Sequence, residues 1–136
     1  MKKIILLALF AFGLNAVQAQ VAEHKIVFQL SVSDTMAHKA LMKQMGNILA
    51  VSPSTKIEIV CHGPGLEMLM INKSIVKDKI EVFKNKGVVF NACEFSMKER
   101  NVSKTNMIES ASYVPAGIIE IVSKQEQGWS YIKSGF

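Results

Sequence analysis

The chain has 136 residues, of which 49% are hydrophobic and 20% charged, and its formal net charge is +5. This length and apolar content suffice for one domain with a real core. The lysines are scattered, Arg100 is the only arginine, and no basic stripe with interleaved aromatic residues occurs. These features argue against a nucleic-acid-binding protein. Two cysteines are too few for a disulfide scaffold.

The first 19 residues have the pattern of a secretory signal peptide. Two lysines form a basic start, an apolar run spans residues 4–14, and Val17 and Ala19 supply small residues for a signal peptidase. We predict cleavage after Ala19, which leaves a single domain of residues 20–136 in a periplasmic or secreted protein. Loss of the two lysines lowers the net charge from +5 to +3. An uncleaved anchor is the alternative, but the run is short for a membrane span, so no stable membrane insertion is predicted.

Strands and helices alternate along the remaining chain. Five segments rich in apolar and β-branched residues are predicted as strands, at residues 24–30, 56–61, 88–92, 111–114 and 128–133. Segments with helical spacing lie between them, at residues 34–50, 66–71, 74–86, 93–101 and 118–127, with a further short turn at 103–108. This alternation predicts an α/β fold, a three-layer α/β/α sandwich with a mostly parallel five-stranded sheet.

The same patterns predict the surroundings of several side chains. The helix at 74–86 is expected to turn four apolar residues inward, namely Ile75, Ile80, Val82 and Phe83. His24 and His38 are expected at the surface. Trp129 and Tyr131 alternate on the last strand and should share one face, where they fill the core. Exposure of this pair at a sheet edge would instead indicate a subunit interface.

Cys93 is the leading candidate for chemistry. It follows the third predicted strand, and ligands and chemistry gather at the carboxyl ends of the strands in a parallel α/β sheet. Amides of the helix that begins at Glu94 favour the thiolate, which is the form that attacks disulfides, binds metals or carries sulfur. The Glu94 carboxylate would raise the pKa of the thiol if it pointed inward. The alternative is a buried cysteine that only packs.

A second group of candidate residues ends the second strand, where Cys61 and His62 precede Gly63 and Gly65. If strands two and three are neighbours, a redox pair of Cys61 and Cys93 is geometrically possible unless the side chains point to opposite faces. His62 is a candidate to activate a thiol or bind a ligand, and capping of the turn is the alternative. The two glycines suit a tight turn, whose amides are a candidate anion site. The ligand spacing of structural zinc is lacking, so neither a metal nor another cofactor is predicted.

Several segments together resemble the DsrE/DsrF-like family, whose fold is related to that of the YchN protein. The matching segments are Lys25–Leu30, Val60–Gly65, Gly87–Glu94 with Met97, and Val114–Gly117 leading to Gln125–Lys133. The resemblance implies sulfur relay, in which oligomeric proteins pass a persulfide sulfur between cysteines. Cys93 matches the reactive cysteine of the family. The signal peptide departs from the characterised relatives, which are cytoplasmic.

Two functions are therefore expected. The first is a small exported thiol protein, a sulfur carrier or sulfurtransferase, that holds sulfane sulfur as a persulfide on Cys93 and exchanges it with a donor or acceptor protein. The second is a non-catalytic oligomeric module that holds a small anion or a protein partner at the strand-end rim. A homo-oligomer is expected in both cases.

Overall fold

The computed structural model describes residues 23–135 and contains five strands. The strands are β1 (Lys25–Leu30), β2 (Lys56–Cys61), β3 (Val89–Cys93), β4 (Ser112–Val114) and β5 (Ser130–Ser134). Their order in the sheet is β4-β3-β2-β1-β5, and every neighbouring pair is parallel. The predicted α/β fold is confirmed, with a fully parallel sheet.

Helices cover both faces of this sheet. The α-helices are α1 (Thr35–Val51), α2 (Lys77–Asn85), α3 (Glu94–Glu99) and α4 (Gly117–Glu126), and two 3-10 helices span Gly63–Leu69 and Lys104–Asn106. The predicted signal peptide, residues 1–19, lies outside the described residues. In residues 23–135, no helix is both long and apolar enough to cross a membrane.

Helix α1 shows how local sequence sets an element. Asp34 caps its start, since the carboxylate accepts a hydrogen bond of 2.9 Å from the Met36 amide. Leu41 and Met45, four residues apart, are both buried against the sheet. His38 lies on the same buried face, so its predicted surface position is wrong. Its ring nitrogen donates to the Val32 carbonyl at 2.9 Å, which satisfies the buried polar group.

The predictions for residues 66–86 need two corrections. The first segment is a 3-10 helix that begins at Gly63, and its bonds close three residues back, as from the Gly65 amide to the His62 carbonyl. Helix α2 begins only at Lys77, so Ile75 precedes it and is half-exposed. Ile80 and Phe83 are buried as expected. Val82 is half-exposed because one residue turns the helix by about 100° away from Phe83.

The two faces of the sheet are covered unequally. On the first, which we call the main face, α1, α2 and α3 pack on alternate strand residues such as Phe28, Ile59 and Phe90. These helices connect strands that advance in one direction across the sheet. Helix α4 returns from β4 at one edge to β5 at the other, and a right-handed connection of that kind crosses the opposite face. We call this second face the α4 face.

The core of the α4 face is small. It consists of four buried residues, Val27, Val60, Val114 and Ile121, with Trp129 packed partly against them. Trp129 precedes β5 and contributes to this core. Tyr131 is exposed on β5, so the predicted core position of this side chain is wrong. The reason is that β5 is an edge strand beside β1, on a face that a single helix covers.

Candidate functional site

Cys93 is the last residue of β3 and lies at the carboxyl end of the sheet, on the α4 face. Its partner on the neighbouring strand β4 is Val114, a member of the small core under α4. Helix α4 begins three residues after Val114, and the amide of its first residue, Gly117, donates a hydrogen bond to Cys93 Sγ at 3.2 Å. The residue is 5% exposed. The thiol therefore lies between the end of β3 and the beginning of α4.

The polar surroundings of the sulfur determine its acidity. Burial raises the pKa of the Cys93 thiol, and the nearby Ser96 hydroxyl and the amides of Ser96, Gly117 and Phe95 lower it. Of these groups, the Gly117 amide makes the hydrogen bond to Sγ, and the Phe95 amide donates to the Pro115 carbonyl at 3.2 Å. The balance places the pKa of Cys93 below its ordinary value. The site thus favours a thiolate by uncharged donors alone.

The turn after β2 contacts the Ser96 side chain. The Gly63 amide donates to Ser96 Oγ at 2.9 Å, so the hydroxyl oxygen is an acceptor in this bond. Gly63 has a φ of +51°, a conformation that suits glycine. Gly65 lies so close to β1 that a Cβ atom there would be 2.1 Å from the Leu30 carbonyl oxygen. These glycines serve the tight turn, and the turn holds Ser96 in place.

Gly117 allows α4 to approach the thiol closely. A Cβ atom at this position would lie 3.1 Å from Val60 Cγ1, 3.2 Å from Cys93 Cβ and 3.4 Å from His62 Cβ. The first two separations are tighter than ordinary van der Waals contact, and the third lies at its lower limit. The absence of a side chain thus lets the amide reach the sulfur. The same contacts show that His62 and Cys93 flank one glycine.

Cys61 lies at the same end of the sheet but faces the other way. In the register of β2 and β3 it pairs with Ala92, so it points with Ala92 into the main face. It is fully buried, and burial raises its pKa well above the ordinary value. Both thiols are free. The sequence left open a Cys61–Cys93 redox pair or side chains on opposite faces. The structure places the two side chains on opposite faces, without a disulfide.

His62 belongs to a hydrogen-bonded chain on the α4 face. The Gln29 amide nitrogen donates to His62 Nε2 at 2.7 Å, and the Tyr131 hydroxyl donates to the Gln29 oxygen. Because Nε2 accepts, the proton of the neutral ring lies on Nδ1. Burial lowers the pKa of His62, which favours this neutral form. The ring therefore adds no positive charge beside Cys93.

The Glu94 carboxylate points away from the thiol. Its Oε1 pairs with Lys104 Nζ at 2.8 Å, and the side chain is partly exposed. The thiol therefore has no carboxylate among the groups that shift its pKa. In the part of the chain that the structure describes, no three His, Cys, Asp or Glu side chains are grouped as metal ligands.

Comparisons with known proteins agree with this architecture. A sequence model of the DsrE/DsrF-like family matches residues 24–134. The chain belongs to the DsrE/DsrF-like family. This family is related to sulfur relay. A solved structure of MTH1491, a protein of unknown function from Methanobacterium thermoautotrophicum, is similar at 25% identity and a TM-score of 0.77, over 82% of this chain and 99% of that chain. No curated protein matches the sequence.

Several residues of this site were not predicted from the sequence. Ser96 follows Cys93 by three positions, in the first turn of α3. A hydroxyl residue at this spacing could have indicated a polar neighbour for the residue that precedes the helix. Gly117 stands in a segment that carried the family resemblance, but its role as a donor was not inferred. The contact of Gln29 and Tyr131 joins β1 to the distant β5, and no local pattern reveals it.

Proposed function

We propose that the protein is a sulfur carrier that holds sulfane sulfur as a persulfide on Cys93. The observation that carries the proposal is the hydrogen bond of 3.2 Å from the Gly117 amide to Cys93 Sγ, at a thiol whose pKa its polar neighbours lower. An uncharged donor of this kind stabilises a thiolate without a metal ion and without neutralising its negative charge. A lowered thiol pKa also makes the cysteine a better leaving group when the sulfur is passed on.

The transfer conserves atoms and electrons. The Cys93 thiolate attacks the outer sulfur of a donor persulfide, a bond forms between Sγ and that sulfur, and the sulfur–sulfur bond of the donor breaks. The donor leaves as a thiolate with the electron pair and takes up the proton that Cys93 released to solvent. An acceptor thiolate then attacks the outer sulfur on Cys93 in the same way, which restores the Cys93 thiolate. No net oxidation or reduction occurs.

The surroundings of Cys93 support a protein as the donor or acceptor. An open groove of about 430 Å³ lies between α2 and residues 108–110, and its lining does not include Cys93. Phe95 and Ile118, which follow Cys93 and Gly117 in the chain, are each more than half exposed. An apolar rim of this kind suits contact with a protein surface. The chemical identity of the partner cysteine sets the direction of transfer.

Mass spectrometry of the intact protein tests the carrier function. After treatment with an inorganic polysulfide, wild type is expected to gain one or two sulfur atoms, and a reductant should remove them. Cys93→Ser should gain none. Cys61→Ser is the matched control, because Cys61 faces the main core at the same end of the sheet, and it should load as wild type does. Equal loading of Cys93→Ser would contradict the proposal.

We also propose that the protein is exported and acts in the periplasm or as a secreted protein. The support is the basic start, the apolar run at residues 4–14 and the small residues that end at Ala19. Mass analysis of the protein recovered from its native host should show a chain that begins at Gln20. A chain that retains residues 1–19 would contradict cleavage.

A second function is favoured by the low exposure of Cys93 and by apolar residues on α4. Cys93 is only 5% exposed, while Ile118 and Ile119 are more than half exposed and Val122 is partly exposed. These side chains suit a homo-oligomer that works as a binding module without chemistry at the thiol. Size-exclusion chromatography with light scattering, together with thiol labelling, separates the two functions. An oligomer with an unreactive Cys93 supports the module, whereas rapid labelling supports the carrier.

A further inference from the structure

A charged cluster lies beneath α4, about two helical turns from the thiol. Glu58 of β2 is 3% exposed, although it carries a carboxylate. Its Oε1 accepts a hydrogen bond from Asn91 Nδ2 at 2.7 Å, and its Oε2 lies 2.6 Å from Lys124 Nζ. Asn91 precedes Cys93 by two residues on β3. One carboxylate therefore joins the strand that bears the thiol to the helix that bears the Gly117 donor.

The lysine of this cluster is held from several sides. Lys124 Nζ lies 3.5 Å from Glu120 Oε1 on the same helix and 4.6 Å from the centre of the Trp129 ring. Burial disfavours the ammonium, but the two carboxylates outweigh it and raise the pKa of Lys124. Burial raises the pKa of Glu58, and Lys124 offsets part of that effect. The cluster thus favours the charged form of Lys124, whereas burial makes the carboxylate form of Glu58 costly.

Stability alone is a poor reason for this arrangement. A buried ion pair is often no more stabilising than apolar residues of the same volume, and its best-attested use is to fix one arrangement among several. The apolar contact beneath α4 is small, and Ile121 is the apolar side chain of this helix that is buried there. A helix held by few apolar contacts slides or rotates easily, and a directional pair at its far end opposes such motion.

We propose that Glu58 and Lys124 are positioning residues that hold α4 in the register at which the Gly117 amide reaches Cys93 Sγ. Gly117 and Lys124 belong to one helix and lie about 10 Å apart along its axis. Fixing Lys124 to the sheet therefore fixes the start of the helix. The benefit of this positioning for sulfur transfer rests on the proposed function. The hydrogen bond from Gly117 to Cys93 Sγ does not depend on it.

The pH dependence of Cys93 alkylation by iodoacetamide tests the proposal. All variants carry Cys61→Ala, so that one thiol remains. In Lys124→Met, we expect the midpoint of the rate profile to rise by at least about half a pH unit, which corresponds to roughly a threefold lower rate at neutral pH. Lys124→Arg keeps the charge and should restore the profile. Lys39→Met, an exposed lysine on α1, is the matched control and should leave it unchanged.

A second variant guards against a loss of folding. The double variant Glu58→Gln with Lys124→Met leaves no unpaired buried charge, and the same rise of the midpoint is expected in it. A midpoint equal to that of the background in either folded variant would overturn the proposal. Alkylation does not depend on sulfur transfer, so a wild type that is alkylated but never takes up sulfur would contradict the carrier function and leave the positioning result intact.

Discussion

Cys61 and Cys93 end adjacent strands, yet they occupy opposite chemical environments. Cys61 points into the main face, where it is fully buried in the large apolar core and burial raises its pKa. Cys93 points to the α4 face, where the Gly117 amide donates a hydrogen bond to its sulfur and polar neighbours lower its pKa. Folding therefore raises the pKa of one thiol and lowers that of the other. Position at a strand end does not set the acidity of a cysteine, whereas the polar groups around its sulfur do.

The coverage of the two faces explains this difference. The main face has a large continuous apolar core, in which the buried His38 ring is satisfied by the Val32 carbonyl. The α4 face has a small core, a buried ion pair and a hydrogen-bonded chain that reaches the exposed Tyr131. Functional groups collect where packing is least complete, because ligands and partners need access. Four measurements test the contrast.

The largest expected difference is in thiol labelling of the native protein. Cys93 should react under native conditions, while Cys61 should react only when the whole domain unfolds. For a domain of ordinary stability, this protects Cys61 by at least about a thousandfold. Peptide mapping after timed labelling gives both rates in one sample. Comparable rates for the two cysteines would break the comparison.

Alanine at the two close-approach glycines should have unequal costs. In Gly65→Ala, the new Cβ would lie 2.1 Å from the Leu30 carbonyl oxygen, and backbone yields little, so we expect a loss of at least about 3 kcal/mol. In Gly117→Ala, the contacts are side-chain atoms at 3.1 to 3.4 Å, so about 1–2 kcal/mol is expected. Urea denaturation measures both. Gly46→Ala, with nothing nearer than 3.8 Å, is the control and should not destabilise.

The two thiols should change stability with pH in opposite directions. The pKa of Cys61 is raised by folding, so its contribution is present at low pH and is lost above about pH 8.5, at up to about 1.4 kcal/mol per pH unit. The pKa of Cys93 is lowered by folding, so its contribution is present above the unfolded pKa and is lost as the pH falls through the folded pKa.

Unfolding free energies of single alanine variants separate these two contributions. Cys61→Ala should remove the alkaline loss of stability, and Cys93→Ala should remove the gain that precedes it. Differences between the variants and wild type cancel the other groups that titrate in this range. The same slope in both variants would contradict opposite environments.

The smallest expected difference concerns matched apolar residues. Ile59→Val on the main face and Ile121→Val on the α4 face each remove one buried methylene group. Both should lose about 0.5–1.5 kcal/mol, with the larger loss at Ile59, since its surroundings are closed on all sides. Urea denaturation of both variants gives the order. A larger loss at Ile121 would show that the α4 face is packed as tightly as the main face.

Much of the architecture could be read from local patterns. Alternating apolar segments and capping residues predicted all five strands and helix α1, and Cys93 was placed at the end of β3. Errors arose where tertiary context decides. His38 is polar yet buried because the Val32 carbonyl satisfies it, and Tyr131 is aromatic yet exposed because β5 is an edge strand.

The sequence alone determined the order and type of the elements and the presence of a cysteine after the third strand. Only the tertiary structure decided which face each cysteine takes, because that depends on the register of β2 against β3, and a shift of one residue reverses it. Likewise, the Gly117 donor comes from 24 residues further along the chain. Periodicity within a segment describes its own faces, whereas contacts between segments follow from how the whole core packs.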